Sequence, residues 1–454
     1  MTVRSVPGYR VEPGGTLAGE LRVPGDKSIS HRALMLGGIA RGTTEVSGFL
    51  ESEDCLATLS ALRALGVRIE RPGQQRVRIH GTGQVTGGFS APTSALDMGN
   101  AGTAMRLFMG LLAAQSFDST LIGDESLMRR PMERVAKPLR QMGARIETQD
   151  GRPPVRIGQT SGLSAIDYVM PMASAQVKSA ILLAALSARG TTRVTEPAPT
   201  RDHTERMLAR FGVAARREGG RVSLQGGQPL TATTLTVPGD ISSGAFFIVA
   251  ALLAAPEGLL LRNVGINPTR TGLLRMLELM GADIRVHPHP DAADEPVADI
   301  EVRRSRLRGI ALPSELVPLA IDELPIFFIA AACAEGDTLV TGAEELRVKE
   351  SDRLAAMAEG LTTLGIENEL QPDGIRIRGG GSGTAPSDTA PCFGGGRIDS
   401  RGDHRIAMAF AIASLRAREP IVITDVANVR TSFPGFVELS RSAGLPIREQ
   451  AEAV

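Results

Sequence analysis

An amphipathic helix is the first pattern along the chain, and it recurs six times. In each copy apolar residues return at spacings of three, four and seven, and an apolar residue, a glycine and another apolar residue follow, as in LSALRALGVRIE. This spacing predicts a helix with one buried face. Glycine is the residue most often found in the left-handed position that ends a helix. The predicted helix ends are Gly66, Gly143, Gly212, Gly281, Gly365 and Gly444.

A second kind of helix alternates with the first and is apolar nearly all round. Examples are VKSAILLAALSARGTTRV and GAFFIVAALLAAPEGLLL, in which a turn and an apolar strand follow the helix. A helix without a polar face must be covered by other elements, so we expect these helices to be buried. Their apolar runs are shorter than the roughly 20 residues that cross a bilayer. Each repeat therefore has about 70–80 residues and the order strand–helix–strand–helix–strand.

The repeats divide into three plus three at a duplicated turn. Val-Pro-Gly-Asp occurs at Val23–Asp26 and at Val237–Asp240. Proline fixes φ and glycine permits a sharp turn, so both stretches are predicted to be crossovers between domains, with ordinary repeat turns as the alternative. We predict an α/β protein whose first domain is residues 21–237. Its second domain combines residues 1–20, expected to form strand–turn–strand, with residues 238–454.

Composition excludes several classes of function. Lys plus Arg and Asp plus Glu each total 50, so the chain lacks the net positive charge typical of nucleic-acid binding. The cysteines at 55, 333 and 392 are far apart and lack CxxC spacing, which favours a reducing cytoplasm and no zinc site. The N-terminus has no apolar segment typical of a signal peptide.

Polar, cationic segments precede the predicted helices. They include GDKSISHR, GNAGTAMR, SAQVKSA, IDELP and GDHR, while RRPMER, TRDHTER and VKESDR open amphipathic helices. Helix N-termini present free N–H groups and a positive dipole end, so the pattern predicts a site for a small polyanion. A single Arg is usually a solvated surface charge. The candidate cations are Lys27, Arg32, Arg106, Arg130, Lys178, Arg201, Lys349, Arg353 and Arg405.

Two carboxylates, Asp322 and Glu350, lie among these cations and could exchange protons with a substrate. The alternative is that they cap helices or interact with the dipole of a first turn. The motif HPHP at His287–Pro290 is predicted to be a loop, and no spacing typical of metal ligands is present. The Gly-rich stretch Arg378–Ser400 lacks the GxxxxGK[ST] pattern, so a long flexible hairpin connection is predicted there.

Seven motifs, in the same order, resemble those of the 5-enolpyruvylshikimate-3-phosphate synthase family. They are PGDKSISHR, GNAGTAMR, RRPMERV, SAQVKSA, IDELP, VKESDR and GDHRIAMA, and they span almost the whole chain. TRDHTERML and Leu107 are more similar to the second class of the family than to the first. The resemblance implies the enolpyruvyl transferase fold, a two-domain inverse α/β barrel of six βαβαββ-like repeats with the active site in the cleft between the domains.

The resemblance also implies a reaction of the shikimate pathway, which leads to chorismate and the aromatic amino acids. The enolpyruvyl group of phosphoenolpyruvate would move to the 5-hydroxyl of shikimate 3-phosphate by addition and elimination, with release of phosphate. Neither a metal nor a cofactor is implied. We expect a cytoplasmic, monomeric enzyme without nucleic-acid or membrane partners, with glyphosate as an inhibitor that competes with phosphoenolpyruvate.

Residue by residue, the resemblance implies the following site. Shikimate 3-phosphate is placed on Lys27, Ser28, Arg32, Ser174, Ala175, Gln176, Arg201, Asp322 and Lys349. Phosphoenolpyruvate is placed on Lys27, Gly102, Arg130, Gln176, Arg353 and Arg405. The implied catalytic residues are Lys27, Asp322 as the base at the 5-hydroxyl, and Glu350 as the proton shuttle at C3 of phosphoenolpyruvate.

The chain departs from the first class at three places. Glu345 stands where that class has Asn, Leu107 stands where it has Pro, and Arg430 or Thr431 lies in shifted register where it has Lys. Asp240 of the second Val-Pro-Gly-Asp has no neighbouring Lys. We therefore expect it either to pair with Arg106 when the domains close or simply to cap its helix.

Two other functions compete with this interpretation. The related enolpyruvyl transferase that acts on UDP-N-acetylglucosamine usually has a Cys in the loop of the second repeat, but GDESLMRRPMER contains none. A non-catalytic, anion-binding scaffold would be expected to have lost Lys27, Asp322 or Glu350, and all three are present.

Overall fold

The computed structural model describes residues 5–290, 295–380 and 390–453. The chain divides into two compact units. One is Gly25–Pro238, called here the 25–238 unit, and the other combines Met1–Pro24 with Gly239–Val454 and is called the flanking unit. Each unit has its own apolar core. The division lies inside both Val-Pro-Gly-Asp stretches, whereas the sequence analysis placed the first boundary at Leu21.

The flanking unit begins with two strands, β1 (Ser5–Val11) and β2 (Gly19–Leu21). The 25–238 unit then contains, in chain order, α1 (Lys27–Ile39), β3 (Arg41–Ser47), α2 (Glu53–Ala64), β4 (Arg68–Gly73), β5 (Arg76–Thr82), β6 (Leu96–Asp97), α3 (Gly102–Leu112), β7 (Ser119–Ile122), α4 (Glu125–Met128), α5 (Glu133–Gln141), β8 (Arg145–Gln149), β9 (Arg152–Gly158), β10 (Leu163–Ser164), β11 (Asp167–Val169), α6 (Ala175–Ala185), β12 (Ala188–Arg189), β13 (Thr191–Thr195), α7 (His203–Arg210), β14 (Ala215–Glu218), β15 (Arg221–Gln225) and β16 (Thr234–Thr236).

The chain then returns to the flanking unit. Its remaining elements are α8 (Ile241–Ala254), β17 (Leu259–Gly265), α9 (Gly272–Leu279), β18 (Asp283–Pro288), β19 (Val297–Arg303), α10 (Leu324–Ala332), β20 (Gly336–Val340), α11 (Arg353–Thr363), β21 (Asn368–Gln371), β22 (Gly374–Gly379), β23 (Gly396–Asp399), α12 (His404–Ala413), β24 (Ile421–Thr424), α13 (Phe436–Ala443) and β25 (Ile447–Ala453).

The repeats share one sheet topology. A strand pairs in parallel with the strand that follows the buried helix, and two antiparallel strands complete the sheet, as in the order β6-β7-β9-β8. The fifth repeat has the three strands β20-β22-β21, and an isolated parallel bridge between Ala311 and Leu339 stands in place of the first strand. In the sixth repeat, β1 from the start of the chain lies between β24 and β25. The predicted α/β repeat fold is confirmed.

The strands that precede the two Val-Pro-Gly-Asp stretches exchange pairing partners. Strand β2 precedes the first Val-Pro-Gly-Asp but pairs with β17, which follows the second copy. Strand β16 precedes the second copy but pairs with β3, which follows the first. Between them the Asp26 amide donates to the Pro238 carbonyl and the Asp240 amide donates to the Pro24 carbonyl, each across 2.8 Å. A Cβ on Gly25 would lie 2.0 Å from the Gly48 carbonyl oxygen, so this turn requires glycine.

The two classes of helix behave as predicted. Buried residues make up nearly all of α1, α3, α6, α8, α10 and α12. The glycines that follow the amphipathic helices are all left-handed, with φ between 83° and 109°; they are Gly66, Gly143, Gly212, Gly281, Gly365 and Gly444. Among the described residues no helix is long and apolar enough to cross a membrane.

One loop prediction was wrong and another was wrong in part. His287 and Pro288 belong to β18, where they pair with Asp299 and Ala298, whereas His289 and Pro290 lie beyond the end of the strand as predicted. The Gly-rich stretch is not a hairpin connection, because β22 and β23 at its ends belong to different sheets. Within that stretch, residues 381–389 lie outside the described residues.

Candidate active site

Lys27 is the first residue of α1 in the 25–238 unit. Asp26 caps this helix by accepting the Ile29 amide across 2.8 Å, so the Val-Pro-Gly-Asp turn sets where the helix begins. Lys27 Nζ lies 2.9 Å from Asp54 Oδ2, in the first turn of α2. The Lys27 side chain keeps 18% of its surface exposed, so its ammonium group is held in place yet accessible to an anion. Ser28, the next residue, is half-buried.

Gly102 begins α3 beside two guanidinium groups. A Cβ at this position would lie 3.0 Å from Arg130 Nη1 and 3.2 Å from Arg106 Nη1. Arg130 donates to Asn100 Oδ1 across 2.6 Å, and both arginines are buried. The start of α3 therefore places a bare backbone against two cations, an arrangement suited to a phosphate or carboxylate. Leu107, the departure in this helix, is fully buried.

Gln176 connects the starts of α6 and α3. Its Oε1 accepts a hydrogen bond from Arg106 Nη1 across 2.7 Å, and its Nε2 donates to Thr103 Oγ1 across 2.9 Å. Ser174 caps α6 by accepting the Val177 amide, and Ala175 beside it is half-buried. The structure thus joins Gly102, Arg106, Arg130 and Gln176 into one cluster. Arg106 was identified as a cation from the sequence but was not assigned to either substrate.

Two predicted anion-binding cations are engaged inside the protein. Arg32 is buried and donates to Thr204 Oγ1 across 2.7 Å and to Ser179 Oγ across 2.8 Å, so it connects α1 with α6 and α7. Lys178 is fully buried, and its Nζ lies 3.2 Å from Glu196 Oε2 and 2.7 Å from Glu205 Oε1. Including Lys178 in an open polyanion site was therefore wrong, because its charge is balanced within the core.

Arg201 lies just before α7 and is half-buried. It is therefore accessible enough to contact a ligand, and its predicted contact with shikimate 3-phosphate stays a prediction.

In the flanking unit, Arg353 gathers three carboxylates. This first residue of α11 donates to Glu350 Oε2 across 2.6 Å, to Asp403 Oδ2 across 2.8 Å and to Asp322 Oδ1 across 3.3 Å. Its side chain is 1% exposed. Burial by itself would lower the pKa of Arg353, but the charges of Asp403, Glu350 and Asp322 outweigh burial and raise it. Asp322 and Glu350, the two predicted catalytic carboxylates, thus accept hydrogen bonds from one guanidinium group.

Arg405, in α12, contacts the same group of residues. Asp403 caps that helix by accepting the Arg405 amide across 2.9 Å, and Arg405 Nη1 donates to the Asp322 carbonyl across 2.8 Å. Lys349 Nζ lies 3.4 Å from Glu345 Oε1, and both side chains are partly exposed. The departure at Glu345 therefore places a carboxylate beside a predicted substrate-binding lysine.

The sequence analysis did not predict a buried network of Arg270, Asp240, Ser242 and Glu323 next to Arg405. Arg270 Nη2 donates to Asp240 Oδ1 across 3.0 Å and to Ser242 Oγ across 2.6 Å, and the Ser242 hydroxyl donates to Glu323 Oε1. Glu323 Oε1 also lies 3.8 Å from Arg270 Nη2 and 3.9 Å from Arg405 Nη1. A signal was available, because NPTRTG opens the amphipathic helix of the fourth repeat as RRPMER and VKESDR do elsewhere.

Asp240 caps its helix as the capping alternative predicted, and its pairing with Arg106 stays a prediction. Its Oδ1 accepts the Ser242 amide across 2.8 Å at the start of α8, and the same oxygen accepts the hydrogen bond from Arg270. The remaining departure lies in a 3-10 turn, where Arg430 is exposed and Thr431 donates to the Asn428 carbonyl. Across the described residues, no group of three or more His, Cys, Asp and Glu side chains is arranged to hold a metal ion.

Comparisons with known proteins identify the family of the chain. The family model described as EPSP synthase (3-phosphoshikimate 1-carboxyvinyltransferase) matches residues 11–439. Curated proteins with the name 3-phosphoshikimate 1-carboxyvinyltransferase include those of Methylococcus capsulatus and Alkalilimnicola ehrlichii. Each is 60% identical over 440 residues, which is 97% of this chain and 98% and 96% of the relatives.

Solved structures give the same result. EPSP synthase from Acinetobacter baumannii has a TM-score of 0.87 and 54% identity, and the match covers 98% of this chain and 100% of that one. The enolpyruvyl transferase NikO from Streptomyces tendae, at 16% identity and a TM-score of 0.76, covers 99% of this chain and shares the fold. The resemblance stated from the motifs is confirmed, and the chain belongs to the EPSP synthase family, the 3-phosphoshikimate 1-carboxyvinyltransferases.

Proposed function

We propose that this protein transfers the enolpyruvyl group of phosphoenolpyruvate to the 5-hydroxyl of shikimate 3-phosphate and releases phosphate. Membership of the family supports the reaction, and it places the enzyme in the shikimate pathway. The structural observation that carries the proposal is the contact of Arg353 with both Asp322 and Glu350. The reaction needs two proton transfers next to bound anions, and this contact brings two carboxylates to one cation.

The substrates are strongly anionic, since each carries a phosphate and a carboxylate. In the 25–238 unit, Lys27 contacts both substrates, and Arg130 and Gly102 bind phosphoenolpyruvate. Ser28, Arg32, Ser174, Ala175, Gln176 and Arg201 complete the contacts to shikimate 3-phosphate, with Gln176 also at phosphoenolpyruvate. In the flanking unit, Arg353 and Arg405 bind phosphoenolpyruvate and Lys349 binds at the 5-hydroxyl. The proposal requires both sets of residues to act on one pair of substrates.

The chemistry follows in two steps. Asp322 accepts the proton of the 5-hydroxyl as the hydroxyl oxygen bonds to C2 of phosphoenolpyruvate. Glu350 delivers a proton to C3. Glu350 then takes a proton back from C3 as the bond between C2 and the phosphate oxygen breaks and the double bond re-forms. Phosphate leaves with the proton that Asp322 had accepted, which returns Asp322 to its carboxylate form. The arginines and Lys27 stabilise the negative charge on the phosphate as it departs.

The proposal extends to the setting of the enzyme. We infer a cytoplasmic, monomeric protein that needs no nucleic acid or membrane, and the three free thiols fit a reducing compartment. Glyphosate, an anion with a phosphonate and a carboxylate, is expected to compete at the Gly102 and Arg130 positions of the phosphoenolpyruvate site.

The test measures phosphate release by the full chain with phosphoenolpyruvate and either shikimate 3-phosphate or UDP-N-acetylglucosamine. We expect turnover with shikimate 3-phosphate and a rise in melting temperature when that ligand is added. Release with the UDP-sugar instead would favour the related transferase. A rise in melting temperature without turnover would favour an anion-binding scaffold.

Lys27→Ala examines the site itself. Loss of charge-assisted hydrogen bonds worth about 2–3 kcal/mol each should lower kcat/KM by at least about a hundredfold. The matched control is Lys137→Ala, since Lys137 is an exposed lysine of α5 and should retain wild-type kinetics. Near-wild-type turnover in Lys27→Ala would reject the assignment of Lys27.

A further inference from the structure

Hydrogen bonds hold the side chain of Arg32 to its own helix and to two other helices of the 25–238 unit. Its Nη1 donates to the Ser28 carbonyl of α1 across 2.9 Å. Its Nη2 donates to Ser179 Oγ of α6 across 2.8 Å, and its Nε donates to Thr204 Oγ1 of α7 across 2.7 Å. Arg32, Ser179 and Thr204 are all buried. The fold itself therefore fixes the direction in which the guanidinium group points.

The hydroxyl groups of Ser179 and Thr204 also contact each other. Thr204 Oγ1 donates to Ser179 Oγ across 2.8 Å, so the two hydroxyls and two nitrogens of Arg32 form a closed ring of hydrogen bonds. In this ring Thr204 accepts one hydrogen bond and donates one, while Ser179 accepts two, as a hydroxyl oxygen can. A hydroxyl is neutral, so the pair orients the guanidinium group without itself offsetting its charge.

A second contact joins α6 to α7 next to the hydroxyl pair. Lys178 precedes Ser179 in α6, Glu205 follows Thr204 in α7, and Lys178 Nζ lies 2.7 Å from Glu205 Oε1. Both of these charged residues are buried. Because a contact between charged groups is stronger than one between hydroxyls, α6 and α7 should stay packed when one hydroxyl is removed. The packing of the two helices therefore does not explain why both hydroxyls face Arg32.

Predicted contacts of shikimate 3-phosphate lie at the starts of all three helices. Ser28 is the second residue of α1, and Ala175 begins α6 four residues before Ser179. Arg201 precedes α7 and lies three residues before Thr204. The ring of hydrogen bonds thus lies just behind the helix starts that are expected to face this substrate.

We propose that Ser179 and Thr204 are positioning residues for shikimate 3-phosphate, which act by holding the guanidinium group of Arg32 toward that substrate. This role rests on the proposed function, in which Arg32 contacts shikimate 3-phosphate. An arginine side chain has many rotamers, and freedom that the fold has already removed is not lost again when a ligand binds. Removal of a hydroxyl releases the guanidinium group into other orientations, so the substrate binds less tightly.

The experiment compares the steady-state kinetics of the full-length wild type with those of Thr204→Val and Ser179→Ala. Each variant lacks one hydroxyl, so KM for shikimate 3-phosphate should rise at least about tenfold, the scale of one hydrogen bond to a charged group. The value of kcat and KM for phosphoenolpyruvate should change less than about twofold, because the lost interaction is with the other substrate.

Two further variants serve as controls. Thr204→Ser keeps the hydroxyl and should restore KM for shikimate 3-phosphate to within about twofold of the wild type. Thr191→Val makes the same change as Thr204→Val at a distant position, since the Thr191 hydroxyl forms an exposed hydrogen bond with Gln225 between β13 and β15. It should retain wild-type kinetics.

A double variant tests whether the hydroxyls act through Arg32. Arg32→Lys removes the guanidinium group that Thr204 orients, so adding Thr204→Val to it should raise KM for shikimate 3-phosphate less than about twofold further. A further rise as large as the one in the wild-type background would overturn the proposal. Equal increases in the two KM values of Thr204→Val would also overturn it, since they would indicate a general disturbance of the fold.

Turnover by the wild type separates this role from the proposed function. A wild type that releases no phosphate from shikimate 3-phosphate and phosphoenolpyruvate would reject the proposed function and, with it, the positioning role. A wild type that turns over, beside variants that lose melting temperature but keep the wild-type KM for shikimate 3-phosphate, would reject the positioning role alone. Ser179→Ala, which removes a single oxygen atom, decides the result if Thr204→Val does not fold.

Discussion

Arg353 holds Glu350 across 2.6 Å, from Nη2 to Oε2, at the start of α11. The same guanidinium group contacts Asp403, which is fully buried, so Arg353 keeps an anionic partner even when Glu350 is changed. The proton-transfer role proposed for Glu350 can therefore be separated from its part in the fold.

Glu350→Gln should lower kcat by about a hundredfold to ten-thousandfold, because the amide retains an acceptor for Arg353 but cannot move a proton to C3. Steady-state kinetics and a melting curve check this prediction. Glu359→Gln, on the exposed face of α11, is the control and should behave as the wild type does. A Glu350→Gln enzyme with wild-type kcat would contradict the role of Glu350.

Glu323 is expected to act as a positioning residue for Arg405. Glu323 is buried, and its Oε1 lies between Arg270 and Arg405 at 3.8 and 3.9 Å. Glu323→Gln removes the anion that faces both cations, so Arg405 should lose its fixed orientation. We expect KM for phosphoenolpyruvate to rise about tenfold, equivalent to about 1.4 kcal/mol, while KM for shikimate 3-phosphate changes much less.

The split between the two KM values is the informative readout, since a general loss of folding would affect both substrates. Glu257→Gln is a suitable control because Glu257 is exposed in the same unit. Equal changes in both KM values, or a change in stability alone, would show that Glu323 is structural only.

Gly102→Ala should discriminate between phosphoenolpyruvate and glyphosate. The new methyl group would stand 3.0 Å from Arg130 Nη1 and 3.2 Å from Arg106 Nη1, so the guanidinium groups must move by a few tenths of an ångström. The narrowed site should penalise the longer inhibitor more than the substrate. We expect the ratio of the glyphosate inhibition constant to KM for phosphoenolpyruvate to rise by at least about tenfold, or about 1.4 kcal/mol.

Inhibition assays at several phosphoenolpyruvate concentrations measure this ratio. Gly73→Ala in β4 is the control, because a Cβ there would meet its nearest atom only at 4.0 Å. The wild type should be inhibited at millimolar glyphosate or below. An unchanged ratio in Gly102→Ala, or a wild type that tolerates such concentrations, would contradict this account of the pocket.

His31 should make the protein less stable in acid. Burial lowers the pKa of His31 well below its usual value, and the charges of Lys27 and Arg32 add to this effect. Between that folded-state pKa and the unfolded value near 6.5, the unfolded chain binds a proton that the folded chain does not. The free energy of unfolding therefore falls as the pH drops below about 6.5, by about 1.4 kcal/mol for this one group between pH 7.5 and 5.5.

Urea unfolding of the wild type and His31→Gln at the two pH values tests this. Glutamine has no group that titrates between these pH values, so the variant's loss of stability should be smaller by about 1.4 kcal/mol, whatever its absolute stability. An equal acid loss in His31→Gln would exclude His31 as its source.

Local sequence patterns predicted the helices and strands of this fold. They could not predict contacts between residues that are distant in the sequence. The left-handed Gly66 and the buried α8 follow from periodicity within a dozen residues. The sequence presents Lys178 as one more cation, since burial and the partners Glu196 and Glu205 depend on how α6 packs.

The sequence likewise indicated some residues of the candidate site and not others. The resemblance supplied Asp322, Glu350 and Arg353 because each belongs to a short motif. Arg270 belongs to NPTRTG, which carries a single cation where RRPMER and VKESDR carry two or more, so the motif was less distinctive. Glu323 was quoted in IDELP but given no role, since only the folded chain brings it close to Arg270 and Arg405.

The exchange of pairing partners by β2 and β16 has a consequence for the order in which parts of the chain can fold during synthesis. Translation produces β2 before the 25–238 segment, yet β2 lacks its partner β17 until that whole segment has been synthesised. Strand β1 waits still longer, because its neighbours β24 and β25 are made after β17. The 25–238 unit, by contrast, has all of its strands once β16 is complete. Since domains tend to fold as units during synthesis, β1 and β2 should find their partners only after the 25–238 unit has folded.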